Sequence, residues 1–316
     1  MNQPRIAMIG LGSIAQKAYL PILTKETNWQ FVGAFSPNAE KRQRICRQYR
    51  IQDFSSIPAL IEASDAVFVH SSTESHFEVV SELLRKGKDV YVDKPLAATV
   101  EQAAELVALS EKHGRKLMVG FNRRFAPMYV AAKERAQNLI ALYLEKHRAD
   151  DIGPRDYRFT MLDDYIHLVD LMRWFQGGES KLVYQKMEIN SDKQLTFAQH
   201  VLEGEQGNPF TLSMHRKAGT NLEELKLLTD GALIRVENLN VMETEQDGKL
   251  TIQTPPSWDT ILKQKGFVDA VDHFVDCITH DTQPQVDGEE ALKSQQLVEQ
   301  LLAWDRGTGS LSQRFE

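Results

Sequence analysis

Arg5-Ile6-Ala7-Met8-Ile9-Gly10-Leu11-Gly12-Ser13-Ile14-Ala15 decides the fold. Arg5 to Ile9 is an apolar run of strand length, and the residues after Ala15 have helical spacing, with Pro21 as a kink or break. Between them stands G-x-G-x-x-A, the glycine turn of dinucleotide-binding βαβ units. Gly10 permits the tight turn. Gly12 leaves space for a pyrophosphate to approach the backbone, and Ala15 is small enough for close helix–strand packing. The helix start, with Ser13 and Ile14, offers unpaired N–H groups and a partial positive charge to phosphates. The expectation is a Rossmann domain that binds a nicotinamide dinucleotide.

The second strand, around Trp29 to Phe35, should carry the ribose selector at its end. An NAD-selective fold places Asp or Glu there, about 20 residues beyond the glycines. This chain has Ser36-Pro37-Asn38 instead, followed by Lys41, Arg42 and Arg44. No carboxylate repels a 2′-phosphate, and cations stand close by. NADP is therefore expected over NAD, with Ser36 and Arg42 as contacts.

The alternation continues with a strand at Asp65 to His70 and a hydroxyl-rich turn, Ser71-Ser72-Thr73-Glu74-Ser75-His76. That turn lies at a strand's carboxyl end, so Ser71, Ser72 and His76 are candidate cofactor contacts. Val90-Tyr91-Val92 ends another strand, which Asp93-Lys94-Pro95 stops. Proline restricts the residue before it, so Lys94 is held stiffly where open α/β sheets bind ligands. A helix follows from Thr99, with Gln102 completing a capping box, and then a strand at Lys116 to Gly120. Repeated βα units imply a doubly wound parallel sheet.

The first domain is expected over residues 1–121 and a second over 122–316, an α+β domain with a large, open, mostly antiparallel sheet. The second block is rich in alternating strands, with hairpin signals at Thr229-Asp230-Gly231 and Gln246-Asp247-Gly248. Two helices close it, GFVDAVDHFVDCITH and EEALKSQQLVEQLLAWDR. An open sheet needs its other face covered, so a homodimer or homotetramer through this domain is expected.

The 316 residues are 42% hydrophobic and 26% charged, with a net charge of −7. Nothing in that balance favours nucleic acid or an anionic membrane. No apolar run approaches the ~18 residues of a membrane span, no signal peptide is evident, and the two cysteines, Cys46 and Cys277, lack pairing or metal spacing. A cytoplasmic location is expected.

Residues 161–174, MLDDYIHLVDLMRW, place Asp163 and His167 four apart and His167 and Asp170 three apart. On an α-helix all three share one face. A carboxylate beside a histidine orients the ring and suits acid–base work. The same face could hold a metal or form a surface ion network; no supporting metal cluster is evident elsewhere, and none is expected. Lys146, His147, Arg148, His215 and Arg216 end strands and would suit an acidic or phosphorylated substrate if they line the site. Exposed strand termini would explain them equally well.

These pieces in this order, IGLGSIAQKAYLPIL, AVFVHSSTESHFEVVSELL, VDKPLA, GFNRRFAP and DDYIHLVDLMRW, resemble the Gfo/Idh/MocA oxidoreductase family across nearly the whole chain. The resemblance implies NAD(P) bound by the first domain and a small sugar-like or polyol substrate held between the domains. The family's E-K-P motif falls on Asp93-Lys94-Pro95, which implies a cis bond before Pro95 and catalytic roles for Lys94, Asp163 and His167, with Asp170 supporting. Lys94 would also touch the cofactor. Arg123 or Arg124 would face substrate, as would Asp163 and His167. Asp93 replaces the family's usual glutamate, Ser72 a common proline, and Phe159-Thr160-Met161-Leu162 a glycine-rich approach. The reaction implied is hydride transfer at a secondary alcohol. Alternatives are redox-assisted elimination or glycoside cleavage with a retained cofactor, and a non-catalytic dinucleotide-responsive regulator.

Overall fold

The computed structural model describes residues 3–25, 28–305 and 310–311. Two compact units form, one from residues 1–122 and 267–293, the other from 123–266 and 294–316.

The first unit is built on five parallel strands: β1 (Arg5–Ile9), β2 (Gln30–Phe35), β3 (Ala66–Val69), β4 (Asp89–Val92) and β5 (Leu117–Val119). Their order is β2-β1-β3-β4-β5, the doubly wound arrangement expected from the alternating strands and helices. Every residue of β3 is fully buried, as are Ile6 to Met8 of β1. Helices cover both faces of such a sheet, which is why these strands read as unbroken apolar runs rather than alternating ones. Asn38, Ser56 and Thr99 each accept a backbone N–H at a helix start, the Thr99 bond coming from Gln102 as its spacing implied.

Residues 267–293 return to this unit, unlike the single second block 122–316 expected from the sequence. The cause is aromatic packing. Phe274, on the helix Phe267–His280, meets Phe68 of β3 and Tyr91 of β4 edge-on, and Phe267 meets Tyr19. The segment then bonds to the last strand, where the Val119 amide donates to the Val286 carbonyl.

The second unit carries an eight-stranded sheet: β6 (Leu139–His147), β7 (Ser180–Ile189), β8 (Leu195–Gly204), β9 (Pro209–His215), β10 (Leu222–Thr229), β11 (Ala232–Glu237), β12 (Val241–Gln246) and β13 (Lys249–Gln253). Their order is β13-β12-β11-β10-β6-β9-β8-β7. Only β6 and β9 pair in parallel. Both hairpin turns form where their Asp-Gly pairs stand, and Asp247 and Gly248 both take positive φ, as a two-residue primed turn requires.

Alternation defines the sheet's inner face. Leu142 and Leu144 of β6, Leu212 and Met214 of β9, and Leu225 and Leu227 of β10 are buried in rows. The helix Ile166–Gln176 packs across β6 and β9 and is itself buried almost all round. Trp304–Asp305 pairs antiparallel with Ser310–Leu311. Arg306, the last residue of the expected terminal helix, lies outside the described residues. Among those described, no helix is long and apolar enough to cross a membrane.

Candidate active site

In the first unit the glycine turn is set by backbone packing. Gly10 has φ +95, and a Cβ there would lie 2.4 Å from the carbonyl carbon of His70 and the amide nitrogen of Ser71. Only glycine tolerates both the conformation and the approach. Gly12 is different, because a Cβ there would meet only the His70 carbonyl oxygen, at 3.8 Å. The backbone beside Gly12 is therefore open, as a pyrophosphate requires. Ser13 is exposed and Ile14 half-buried at the start of the following helix. That helix widens into a π-helical turn over Ala15–Tyr19 before Pro21, which has no N–H to donate. These residues fit a dinucleotide, and the phosphates would sit against Gly12, Ser13 and Ile14.

Arg42 is buried rather than projecting. Its Nε donates to Asp53, and a terminal nitrogen donates to the Ser36 carbonyl at 2.8 Å. Sequence reasoning missed Asp53. It comes alongside only because residue 53 bridges to Ala34 of β2.

Lys94 follows β4, half-buried, and its peptide bond to Pro95 is cis, as the resemblance implied. The Lys94 amide is held by the Asp93 carboxylate at 2.9 Å. His76 is 1% exposed. Its ring bridges the Pro95 carbonyl at 2.9 Å and the Ser71 carbonyl at 3.2 Å. Burial pushes its pKa down, against the pull of the Pro95 carbonyl. A neutral ring has one N–H, so it donates to one of these carbonyls at a time. His76 therefore holds the Lys94 loop or the Ser71 turn, according to which ring nitrogen carries the proton. Ser71 and Ser72 remain on the rim of that turn, Ser71 bonded to Ser75 at 2.7 Å.

In the second unit, Asp163 lies in a π-helical turn, Met161–Tyr165, that feeds into the helix carrying His167. The Ile166 amide donates to the Met161 carbonyl, five residues back. The wider turn means that the regular α-helix begins only after Asp163, while His167 and Asp170 lie three apart within it. Asp163 is half-exposed and His167 is 6% exposed. Such π-turns recur at functional positions in helices.

Asp170 is turned elsewhere. Arg124 donates to both of its carboxylate oxygens, and the Ser294 hydroxyl donates to Oδ1 at 2.9 Å. Arg123 makes a two-point pair with Glu223. Both arginines expected to face substrate thus already hold carboxylates of their own unit. Burial works to raise Glu223, but Arg123 and Lys146 outweigh it and hold the group at about 2.

Asp164, the neighbour of the expected catalytic aspartate, gathers the charge. Lys146, Arg148 and Arg216 all pair with it. Burial alone would raise its pKa, and these three cations instead hold it far below the usual carboxylate range. Lys146 is completely buried, and burial followed by repulsion from Arg123 brings it down to about 8 despite Asp164. The sequence carried a signal for this. Lys146 continues the inner row of Leu142 and Leu144, so its alternation placed it inside. His147 and His215 take the opposite phase, and the His215 amide donates to the His147 ring at 3.0 Å.

Residues 4–121 match the family model of the oxidoreductase family with an NAD-binding Rossmann fold, Gfo/Idh/MocA. Residues 127–247 match the YceM-like C-terminal domain. The chain is 44% identical over 301 residues to YceM of Salmonella typhimurium, a protein named as an oxidoreductase, covering 95% of this chain and 98% of that one. This chain belongs to the Gfo/Idh/MocA oxidoreductase family. The crystal structure of the MviM dehydrogenase from Clostridium difficile superposes with a TM-score of 0.93 at 46% identity, covering 95% of this chain and 99% of that one. An inositol 2-dehydrogenase of Paracoccus denitrificans is 34% identical over 54% of this chain and 53% of its own length. The resemblance read from the motifs is thus the family itself, and its NAD(P)-binding Rossmann domain is the first unit.

Proposed function

We propose that this protein is an NAD(P)-dependent dehydrogenase or reductase that moves a hydride between nicotinamide and a secondary alcohol carbon of a small sugar-like or polyol substrate. The observation that carries this reading is the pairing, in one chain, of an open backbone at Gly12 with a lysine at the end of β4 whose amide bonds the Asp93 carboxylate. The inositol dehydrogenase among its relatives supports the substrate class. The bound nicotinamide supplies the hydride acceptor or donor. The chain's own residues do the rest. His167 takes the hydroxyl proton as the carbonyl forms and returns it in the reverse direction. Lys94 donates a hydrogen bond to the reacting oxygen and stabilises the charge that develops there. Asp163 orients the substrate or the imidazole.

NADP is the preferred form in this proposal. Position 36 is a serine, and Arg42 keeps N–H donors beyond the two committed to Asp53 and Ser36. Asp53 moderates that preference by sharing the cation. A cytoplasmic homodimer or homotetramer completes the proposal. Its supports are two buried free cysteines and an exposed apolar set on the large sheet that includes Ile140, Leu228, Leu250 and Ile252.

The test is turnover on a panel of polyols, sugars and sugar derivatives, followed by the absorbance of reduced nicotinamide. Lys94→Ala and His167→Ala are each expected to lower kcat by roughly 10²–10⁴-fold on whichever substrate is used. Unchanged turnover in both variants would overturn the mechanism.

A further inference from the structure

Three neighbouring strands of the second unit end their buried rows in charge. On β6 the row Leu142, Leu144 ends in Lys146. On β10 the row Leu227, Leu225 ends in Glu223, directly opposite Lys146. On β9 the row Leu212, Met214 ends in Arg216, just past the strand. Arg148 stands two residues beyond Lys146, held by its backbone to His215 at 2.9 Å. The π-turn with Asp164 closes over these residues. One end of the inner face is thus a pocket of charge where the rest of the face is aliphatic.

The charges there do not balance. Lys146, Arg148, Arg216 and Arg123 are drawn together, and the buried carboxylates among them are Asp164 and Glu223. Arg216 reaches a third carboxylate, Asp151, at 2.8 Å, but that side chain is 54% exposed and its charge is spread into water. Glu223 is occupied on both oxygens by Arg123. Asp164 alone is left to face three cations. A surplus positive charge out of water is costly unless an anion meets it.

The arrangement also has a door. Lys146 is 0% and Arg216 9% exposed, whereas Arg148 is 28% exposed. Arg148 holds Asp164 by one terminal nitrogen placed 3.3 Å from both oxygens, a long and divided contact. Its other terminal nitrogen and its Nε have no partner among the described residues. A guanidinium in that state is built to accept a second, planar or tetrahedral oxyanion.

We infer that this end of the sheet is an oxyanion site, in which Arg148, backed by Lys146 and Arg216, takes a carboxylate or phosphate group carried by the substrate. The inference rests on the oxidoreductase reading only for the word substrate; the binding itself does not. It narrows the substrate from any sugar or polyol to an acidic one, such as a sugar acid or a sugar phosphate. Asp163 stands one residue from Asp164, so the same π-turn carries both the proposed catalytic aspartate and the anchor of the anion site.

The test is calorimetry on the full chain saturated with NADP, which occupies the phosphate-binding turn of the first unit. The probes are D-gluconate, D-glucose 6-phosphate and D-glucose, which differ in carboxylate, phosphate or neither. At least one acidic probe is expected to bind roughly tenfold or more tightly than D-glucose, and the tighter of the two identifies the anion. Arg148→Gln is expected to remove that advantage, consistent with loss of a charge-assisted hydrogen bond. Lys217→Gln deletes the charge next to Arg216 in sequence, which is 63% exposed and pairs with Asp150, and it is expected to change binding less than about twofold. A melting temperature for Arg148→Gln close to the parent's separates lost binding from lost folding. The inference falls if neither acidic probe outbinds D-glucose in the parent protein, or if Lys217→Gln weakens binding as much as Arg148→Gln. Turnover of neutral polyols with no preference for acids would leave hydride transfer standing and remove the anion site. Arg148-dependent binding without turnover of any probe would do the reverse.

Discussion

Arg124 donates to Asp170 through Nε at 2.9 Å and through a terminal nitrogen at 2.7 Å, with 3% and 1% of the two side chains exposed. A two-point pair this deeply buried is a structural bond, and it commits both Asp170 oxygens to Arg124. Replacing Arg124 with Leu leaves an uncompensated carboxylate beside Ser294 and should cost about 3–5 kcal/mol in urea unfolding. The double variant Arg124→Leu, Asp170→Leu should recover much of that loss, because no buried charge is left alone. A single variant as stable as the parent would show that the pair holds nothing together.

The two glycines of the phosphate turn should separate cleanly. Gly10→Ala forces a side chain into the His70–Ser71 backbone at positive φ, so the protein should fail to fold or melt far below the parent. Gly12→Ala meets no backbone at clashing distance and should melt within a few degrees of the parent. Its loss should appear instead as weaker dinucleotide binding, measured by fluorescence titration.

Arg42 should discriminate between the two dinucleotides. Arg42→Gln is expected to weaken NADPH by roughly tenfold or more while leaving NADH nearly unchanged, as loss of a charge-assisted bond to a 2′-phosphate would do. Asp53→Asn should shift the ratio the other way, because Arg42 then has no internal carboxylate to serve. Equal losses for both dinucleotides would place Arg42 in a purely structural role.

Acid should destabilise the fold before ordinary carboxylates titrate. His70 is stacked on Tyr19 with ring centroids 3.9 Å apart, and burial, with repulsion from His76, lowers it to about 3. His200 accepts or donates at the Tyr165 hydroxyl at 2.6 Å and is likewise lowered by burial to about 3. The unfolded chain binds these protons near pH 6.5 and the folded one does not. Stability is therefore fully present above about pH 6.5 and lost as pH falls toward 3, by up to ~1.4 kcal/mol per pH unit for each histidine. Glu223, lowered to about 2, adds to the loss below its usual range. Urea unfolding from pH 7 to 4 should show this slope, and His200→Gln should reduce it. A flat profile would mean that both rings protonate within the fold.

Much of the fold was legible in local patterns. The strand–glycine–helix at Arg5 to Ala15, the Thr99 N-cap (without the reciprocal Gln102 bond of a full capping box), the Asp-Gly hairpins and the inner and outer phases of β6 and β10 are all short-range, and short-range sterics and hydrogen bonds act within a few residues of chain. Family membership was legible too, because several such pieces stand in one order. The tertiary structure decided the rest. It returned residues 267–293 to the first unit, since only the folded sheet brings Tyr19 within reach of Phe267 and Phe68 and Tyr91 within reach of Phe274. It gave Arg42 to Asp53, Arg124 to Asp170 and Arg123 to Glu223, partners 11, 46 and 100 residues apart. And it set Lys146, Arg148 and Arg216 together on Asp164, pairs that local periodicity does not contain. A charge finds its partner through space once desolvation makes an unpaired one costly, and that distance is written only in the fold.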